Sequence, residues 1–217
     1  LLFLGAFMLS RVRKGLKPFV EFVALPFAKL GIDPNVLSFV AVPLALVSGY
    51  FIASGVFYLA FIFAVLSVSI DLFDGAVARL QNKQSLFGNY IETIIDKVVE
   101  IILFVSCSFV YPVAAASALG FSMLVSYAKP RVALVIITDN RDWPGVGEHS
   151  ERMILLILGL LLSSFGISFS GVSSLELFLW AIAIVSLVGA VTRIFFAREL
   201  IEKAEKSGMV LPYLKKK

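Results

Sequence analysis

From Pro34 to Ile70 the chain runs for 37 residues without an Asp, Glu, Lys or Arg. A single helix crossing a bilayer needs about 20 apolar residues at ~1.5 Å each, so this run is long enough for two. It divides at the turn signal Ser54-Gly55. Three more charge-free runs follow: Ile101–Ala128, Met153–Leu175 and Leu177–Thr192. The first of these divides at Tyr111-Pro112, because a proline pushes the preceding residue out of helical conformation. The Gly/Ser-rich segment Gly166–Ser174 separates the last two. The pattern predicts six transmembrane helices, at about 38–54, 57–79, 88–110, 112–130, 152–167 and 175–197. With 59% hydrophobic and only 16% charged residues, a soluble globular enzyme is excluded, and so is a disordered or fibrous chain. One cysteine (Cys107) and one histidine (His149) leave no disulfide framework, cysteine-built zinc site or histidine cluster.

The basic residues orient the spans. Arg11, Arg13, Lys14, Lys17 and Lys29 precede the first span, and Arg79, Lys83 and Lys97 surround the second connection. Lys129, Arg131, Arg141 and Arg152 surround the fourth, and Arg193, Arg198, Lys203, Lys206, Lys215, Lys216 and Lys217 stand at the end of the sixth span and in the tail. These are all 19 Lys and Arg residues, and the three opposite loops have none. The positive-inside rule therefore predicts an integral cell-membrane protein with both termini and the basic loops in the cytoplasm.

Residues 1–10 are apolar but too short to span, and they lack the cleavage signature of a secretory signal. Such a start suggests the end of a longer upstream part. From Arg11 to Leu30, Val12, Leu16, Phe19, Val23 and Phe27 recur at steps of three and four. That periodicity predicts a cytoplasmic amphipathic helix lying in the membrane interface, kinked or interrupted by Pro18 and Pro26. The expected organisation is an interfacial segment over residues 1–36, a six-helix transmembrane catalytic domain over 37–200 and a basic cytoplasmic tail over 201–217. The fold class is an all-α integral membrane protein.

Charges inside spans are costly and mark function. Asp71 and Asp74 are three residues apart near the inner end of the second span. Glu92 and Asp96 are four apart near the inner end of the third. Each pair shares a helix face. A short loop joins the two spans, which predicts antiparallel neighbours whose carboxylate faces converge. Converging anions call for hard divalent cations, and all-oxygen ligands select Mg²⁺, Mn²⁺ or Ca²⁺ over zinc. Gly75, Ala78 and Gly88 keep the space beside these carboxylates free of bulk, or else simply allow close helix packing. Arg79 closes the second span, well placed for a phosphate.

The run Asp71-Leu72-Phe73-Asp74-Gly75-Ala76-Val77-Ala78-Arg79, then eight residues, then Gly88, Glu92 and Asp96, resembles the signature of the CDP-alcohol phosphotransferases. That signature reads D-x-x-D-G-x-x-A-R-(x)8-G-x-x-x-D-x-x-x-D, and seven of its eight fixed positions match with the spacing intact. The third acidic position holds Glu92 where the family has Asp, which keeps the carboxylate and adds one methylene of reach. Gly31-Ile32-Asp33-Pro34-Asn35 is similar to the family's entry segment, and the family also has a cytoplasmic N-terminal helix followed by six spans.

The resemblance implies transfer of a phosphoalcohol group from a CDP-linked lipid donor to a small polar alcohol acceptor, with release of CMP, in phospholipid biosynthesis. It implies one or two Mg²⁺ or Mn²⁺ ions held by Asp71, Asp74 and Glu92, with Asp96 sharing that role or acting as general base. It also implies Asp71, Gly75, Ala78, Arg79 and Gly88 as nucleotide and diphosphate contacts. Ser126-Tyr127-Ala128-Lys129 and Glu151-Arg152 resemble segments of the phosphatidylinositol-phosphate and archaetidylinositol-phosphate synthases. In that subset such cations hold the acceptor's phosphate, which makes Lys129 or Arg131, Arg152 and Arg193 candidates for a phosphorylated polyol. The alternative is that these cations anchor helix ends in anionic headgroups. A homodimer is also implied, and nucleic acid is not an expected partner.

His149 lies in a loop and is read as solvated, and Cys107 as a small core residue. Glu100 continues the Glu92–Asp96 face one turn deeper, with Lys97 beside Asp96; they either pair with groups on other helices or support the site from behind, and neither is assigned catalysis. Two rival functions are an intramembrane prenyltransferase and a carboxylate-site ion or metal transporter. The first builds its aspartate motifs differently. Against the second, the carboxylates cluster at one end of the spans, and no internal repeat pairs the two halves.

Overall fold

The computed structural model describes residues 18–138 and 143–211. Residues 18–29 form helix α1. It is followed by α2 (Pro34–Ala53), α3 (Phe57–Leu80), α4 (Leu86–Ser108), α5 (Pro112–Val132), α6 (His149–Ser164) and α7 (Ser174–Ser207). Between α6 and α7 the Gly/Ser-rich segment folds into a small antiparallel hairpin, β1 (Ser168–Phe169) with β2 (Val172–Ser173). Each predicted span falls on one of the helices α2 to α7. The last of them runs on to Ser207, so the first residues of the basic tail are helical. Residues 1–17, Arg141 and Lys215 to Lys217 lie outside the described residues.

Three of the six helices, α2, α3 and α7, are long and apolar enough to cross a membrane by their own composition. The other three fall short for identifiable reasons. Helix α4 carries Glu92, Asp96, Lys97 and Glu100. Helix α5 is rich in Ala and Ser and ends in Lys129 and Arg131. Helix α6 has 16 residues, about 24 Å of helix against ~30 Å of hydrocarbon.

Helix α1 is not interrupted at Pro26. It buries Val20 and Ala24 against Leu37 of α2 and Ala76 and Val77 of α3, while Phe19 and Phe22 stay 60% and 73% exposed. The helix thus has two apolar faces, one docked on the bundle and one exposed. Gln81, just past α3, donates to the Ala28 and Ile32 carbonyls at 3.2 and 3.0 Å and ties the end of α1 to α3.

The expected packing of α3 against α4 is only partly realised. Helix α2 packs along both, and α3 and α4 meet over a short stretch. Side-chain size explains the wedge. The buried face of α2 is Ala41, Ala45, Ser48, Gly49 and Ile52, and a Cβ at Gly49 would collide with Ser106 of α4. Small residues let helix backbones approach where water supplies no driving force. Hydroxyls complete the seam: Ser48 donates to the Ala60 carbonyl at 2.8 Å, and Ser67 to Ala41 at 2.7 Å. The other half of the bundle is built on α7, which packs against α5 and α6. Gly189 of α7 lets the loop before α6 lie on the helix, since a Cβ there would strike the Val146 carbonyl. That contact fixes the position from which α6 starts.

Candidate functional site

Helices α3 and α4 meet where their carboxylates are. Asp71, Asp74 and Glu92 each offer an oxygen, and the three oxygens lie within 4.8 Å of one another. Asp74 is 3% exposed. It accepts hydrogen bonds from the Ser38 hydroxyl of α2 and from the Gly75 backbone N–H at 2.5 Å. A cation bound octahedrally at ~2.1 Å needs its oxygens ~3–4.2 Å apart, which small rotamer changes reach from this spacing. The donor set is entirely carboxylate, the chemistry of Mg²⁺ or Mn²⁺. Asp96, one turn further along α4, falls outside this group of three and faces a neighbouring cavity.

Two cavities flank the cluster. The first, about 280 Å³, is lined by Asn35 and Ser38 of α2, by Asp74, Gly75, Ala78 and Arg79 of α3, and by Gly88 and Glu92 of α4. Every residue singled out for nucleotide and diphosphate contact lines it except Asp71. The second, about 330 Å³, is lined by Asp71, Glu92 and Asp96 on one side. Ser126, Lys129, Glu148, His149, Arg152 and Arg193 line the other. Glu92 lines both.

The four candidate cations separate. Lys129 lines the second cavity, whereas Arg131 lines an apolar groove with Leu124, Tyr127 and Ile194. Two residues apart on a helix face nearly opposite ways, so one turn cannot bring both to one ligand. Arg193 is 7% exposed. Its Nη1 donates to the Val125 carbonyl at 2.8 Å and its Nε to Pro144 at 3.2 Å, with Nη2 3.7 Å from the Glu148 carboxylate. Arg152 is 1% exposed and forked onto Glu100, Nε to Oε1 at 2.5 Å and Nη2 to Oε2 at 2.9 Å.

His149 corrects the sequence reading. It is the first residue of α6 rather than a solvated loop residue, and its Nδ1 lies 3.2 Å from Glu100 Oε2. The start of α6 is set by the Glu151 carboxylate, which accepts from the Gly147 N–H at 2.8 Å and the Glu148 N–H at 3.3 Å. The spacing from His149 to Arg152, one turn on a shared face, was the available signal. Ser38 was missed as well; its signal is a hydroxyl one turn into α2, followed by nine residues without a polar side chain. Glu100 pairs with Arg152 of α6, whereas Lys97 pairs with Glu100 on its own helix, Nζ 2.7 Å from Oε2.

Ser38→Ala removes a hydrogen bond to a buried carboxylate and frees Asp74 to rotate. Such supporting partners typically contribute 10–100-fold to metal affinity. Mn²⁺ titration followed by electron paramagnetic resonance is expected to show binding weakened by about tenfold or more; unchanged affinity would show that Ser38 does not hold the site.

Known proteins resemble this chain in sequence and in fold. The model of the CDP-alcohol phosphatidyltransferase family matches residues 32–192. The phosphatidylinositol phosphate synthase of Corynebacterium glutamicum is 30% identical over 196 residues, covering 85% of this chain and 86% of its own. The archaetidylinositol phosphate synthase of Pyrococcus horikoshii is 26% identical over 199 residues, covering 90% of this chain and 99% of its own. The crystal structure of Mycobacterium tuberculosis phosphatidylinositol phosphate synthase with CDP-DAG bound superposes with a TM-score of 0.69 at 18% identity, covering 91% of this chain and 98% of that one. The same enzyme in complex with manganese and citrate gives a TM-score of 0.69 at 17% identity, covering 91% and 93%.

Proposed function

Because the chain belongs to the CDP-alcohol phosphatidyltransferase family, we propose that it transfers a phosphatidyl-like group from a CDP-lipid to a phosphorylated polyol and releases CMP. One observation carries the reading: Glu92 lines both cavities, so the acidic cluster stands between a pocket of small residues closed by Arg79 and a pocket rimmed by cations. A diphosphate donor fits the first and a phosphate-bearing acceptor the second. The names of the Corynebacterium and Pyrococcus relatives support an inositol phosphate acceptor, and glycerol phosphate has the same chemistry. The protein crosses the cell membrane with all six helices α2 to α7, the short and charged ones sheltered by their neighbours, and works as a homodimer. Its termini and site face the cytoplasm, and residues 37–200 form the catalytic domain.

Asp71, Asp74 and Glu92 would hold one or two Mg²⁺ or Mn²⁺ ions, which supply charge neutralisation on the diphosphate; the manganese complex of the Mycobacterium relative supports that choice of metal. Gly75, Ala78 and Gly88 leave room for the nucleotide, and Arg79 offers its guanidinium to a phosphate. Lys129 and Arg193 complement the charge of the acceptor's phosphate. Asp96 takes the proton of the acceptor hydroxyl. The hydroxyl oxygen forms a bond to the lipid-side phosphorus, the bond from that phosphorus to CMP breaks, and its electron pair leaves on CMP.

The test is CMP release by the purified protein with Mg²⁺ or Mn²⁺ and a CDP-lipid, offered inositol phosphate, glycerol phosphate, inositol and serine in parallel. Only the phosphorylated acceptors are expected to release CMP, and Asp96→Asn to abolish it. Lys129→Ala is expected to raise the acceptor KM about tenfold, the loss of one charge-assisted contact of ~1.4 kcal/mol. Release with serine or inositol alone would overturn the acceptor class, and no release with any acceptor would overturn the transferase reading.

A further inference from the structure

The last turn of α5 faces two ways. Lys129 lines the cation-rimmed cavity, while Arg131 stands at a separate groove between α5 and α7. This groove holds about 480 Å³, within the ~300–1,000 Å³ range of small-molecule sites. It is lined by Leu124, Tyr127 and Ala128 of α5 and by Ile194 and Ala197 of α7, with Val132 buried at its floor. Leu124, Tyr127 and Ile194 are 42%, 59% and 51% exposed, so no described residue covers it. Three charged residues complete the lining: Arg131, Arg198 and Glu202. Arg198 Nε donates to Glu202 Oε1 at 2.7 Å, which engages the one carboxylate. Arg131 is exposed, and no ion pair among the described residues includes it. The rim therefore carries one net positive charge beside an apolar trough.

Helix lengths give the depth of the groove in a bilayer. Arg131 stands 19 residues after Pro112, the first residue of α5, and Ile194 stands 20 residues after Ser174, the first of α7. At ~1.5 Å per residue these distances are ~28 and ~30 Å, about the thickness of the hydrocarbon layer. With both helices crossing the membrane as proposed above, Arg131 lies at the level of the lipid phosphates. Leu124, two turns deeper, lies at the level of the acyl chains. Tyr127 between them has the amphipathic ring that favours this boundary. Basic pockets between helix ends on the cytoplasmic side are the kind of site that holds an anionic head group.

We propose that the groove between α5 and α7 binds one anionic phospholipid of the surrounding leaflet, its phosphate on Arg131 and an acyl chain along Leu124, Ala128 and Ile194. A head group with one net negative charge neutralises the rim, whereas a zwitterionic one leaves the charge in place. The site is separate from both cavities at the acidic cluster. It rests on the membrane placement above and not on the transferase reading.

Native mass spectrometry of the purified protein in detergent reads lipid binding directly, with phosphatidylglycerol and phosphatidylcholine of equal chain length as probes. The wild type is expected to retain one phosphatidylglycerol about tenfold more tightly than phosphatidylcholine, the effect of one charge-assisted contact. Arg131→Ala is expected to abolish that preference. Ala197→Phe, which fills the trough and keeps both arginines, is expected to weaken retention of both lipids. Lipid held at the acidic cluster would respond to neither variant, so the differences isolate the groove. Equal binding of the two lipids by the wild type, or an undiminished preference in Arg131→Ala, would overturn the proposal. A second copy of the chain is the competing occupant. The one cysteine, Cys107, is buried, so Tyr127→Cys offers a single exposed thiol, and its oxidation to a cross-linked dimer would assign the groove to that second copy instead. Binding in detergent does not depend on which leaflet the groove faces, so a failure of the orientation and a failure of the site are read separately.

Discussion

Replacing Asp74 by Asn is expected to lower CMP release at least about a thousandfold, some ~4 kcal/mol of transition-state stabilisation, without unfolding the protein. Asn keeps the shape of the side chain and one carbonyl oxygen to accept from the Gly75 N–H, while its amide takes the place of Oδ2 and donates to the Ser38 hydroxyl, which can still donate to the Pro34 carbonyl. What it lacks is the charge. Asp74 is the most enclosed of the three clustered carboxylates, the other two being partly exposed, so water compensates least for its loss there. Stability should move the other way. With a chelator present, three anions within 4.8 Å repel one another, and removing one relieves that strain. The melting temperature of Asp74→Asn in a chelator should therefore equal or exceed that of the wild type. Added Mn²⁺ should stabilise the wild type by mass action and the variant much less. An Asp74→Asn protein that keeps a tenth of wild-type activity would remove the acidic cluster from the chemistry.

The helices and the cluster were legible in the sequence for one physical reason. Both are written in short-range spacing. A charge-free run long enough for two crossings fixes α2 and α3, and steps of three and four place Asp71 with Asp74 and Glu92 with Asp96 on shared faces. Contacts between distant segments left no such trace. The wedging of α2 between α3 and α4 depends on Gly49 meeting Ser106, residues with no periodic relation. Arg152 looked like a free cation at a helix end because its partner Glu100 lies 52 residues earlier. His149 looked solvated because Glu148-x-x-Glu151 is a weaker start signal than Ser or Thr before Glu, which hid the beginning of α6. Lys129 and Arg131 could not be separated until the rotation of α5 was known. Each of these gaps concerns which neighbour a residue finds, not which element it belongs to.

The buried pair of Glu100 and Arg152 leads to the second large effect, on stability. Glu100→Leu should destabilise the protein by about 3–5 kcal/mol, the usual cost of leaving one partner of a buried ion pair uncompensated. Glu100 is fully buried and Arg152 is 1% exposed, so neither can turn to water for relief. Lys97 is better placed, since its side chain keeps 22% exposure and a long apolar stem lets an ammonium reach solvent. The uncompensated charge in Glu100→Leu is therefore mainly that of Arg152. Removing it as well, in Glu100→Leu/Arg152→Met, should recover most of the lost stability, because well-packed apolar replacements of buried ion pairs are commonly neutral or stabilising. Thermal unfolding in detergent across the four-member cycle measures the coupling. Stability left unrecovered in the double variant would show that the loss in Glu100→Leu is not the cost of an uncompensated buried charge.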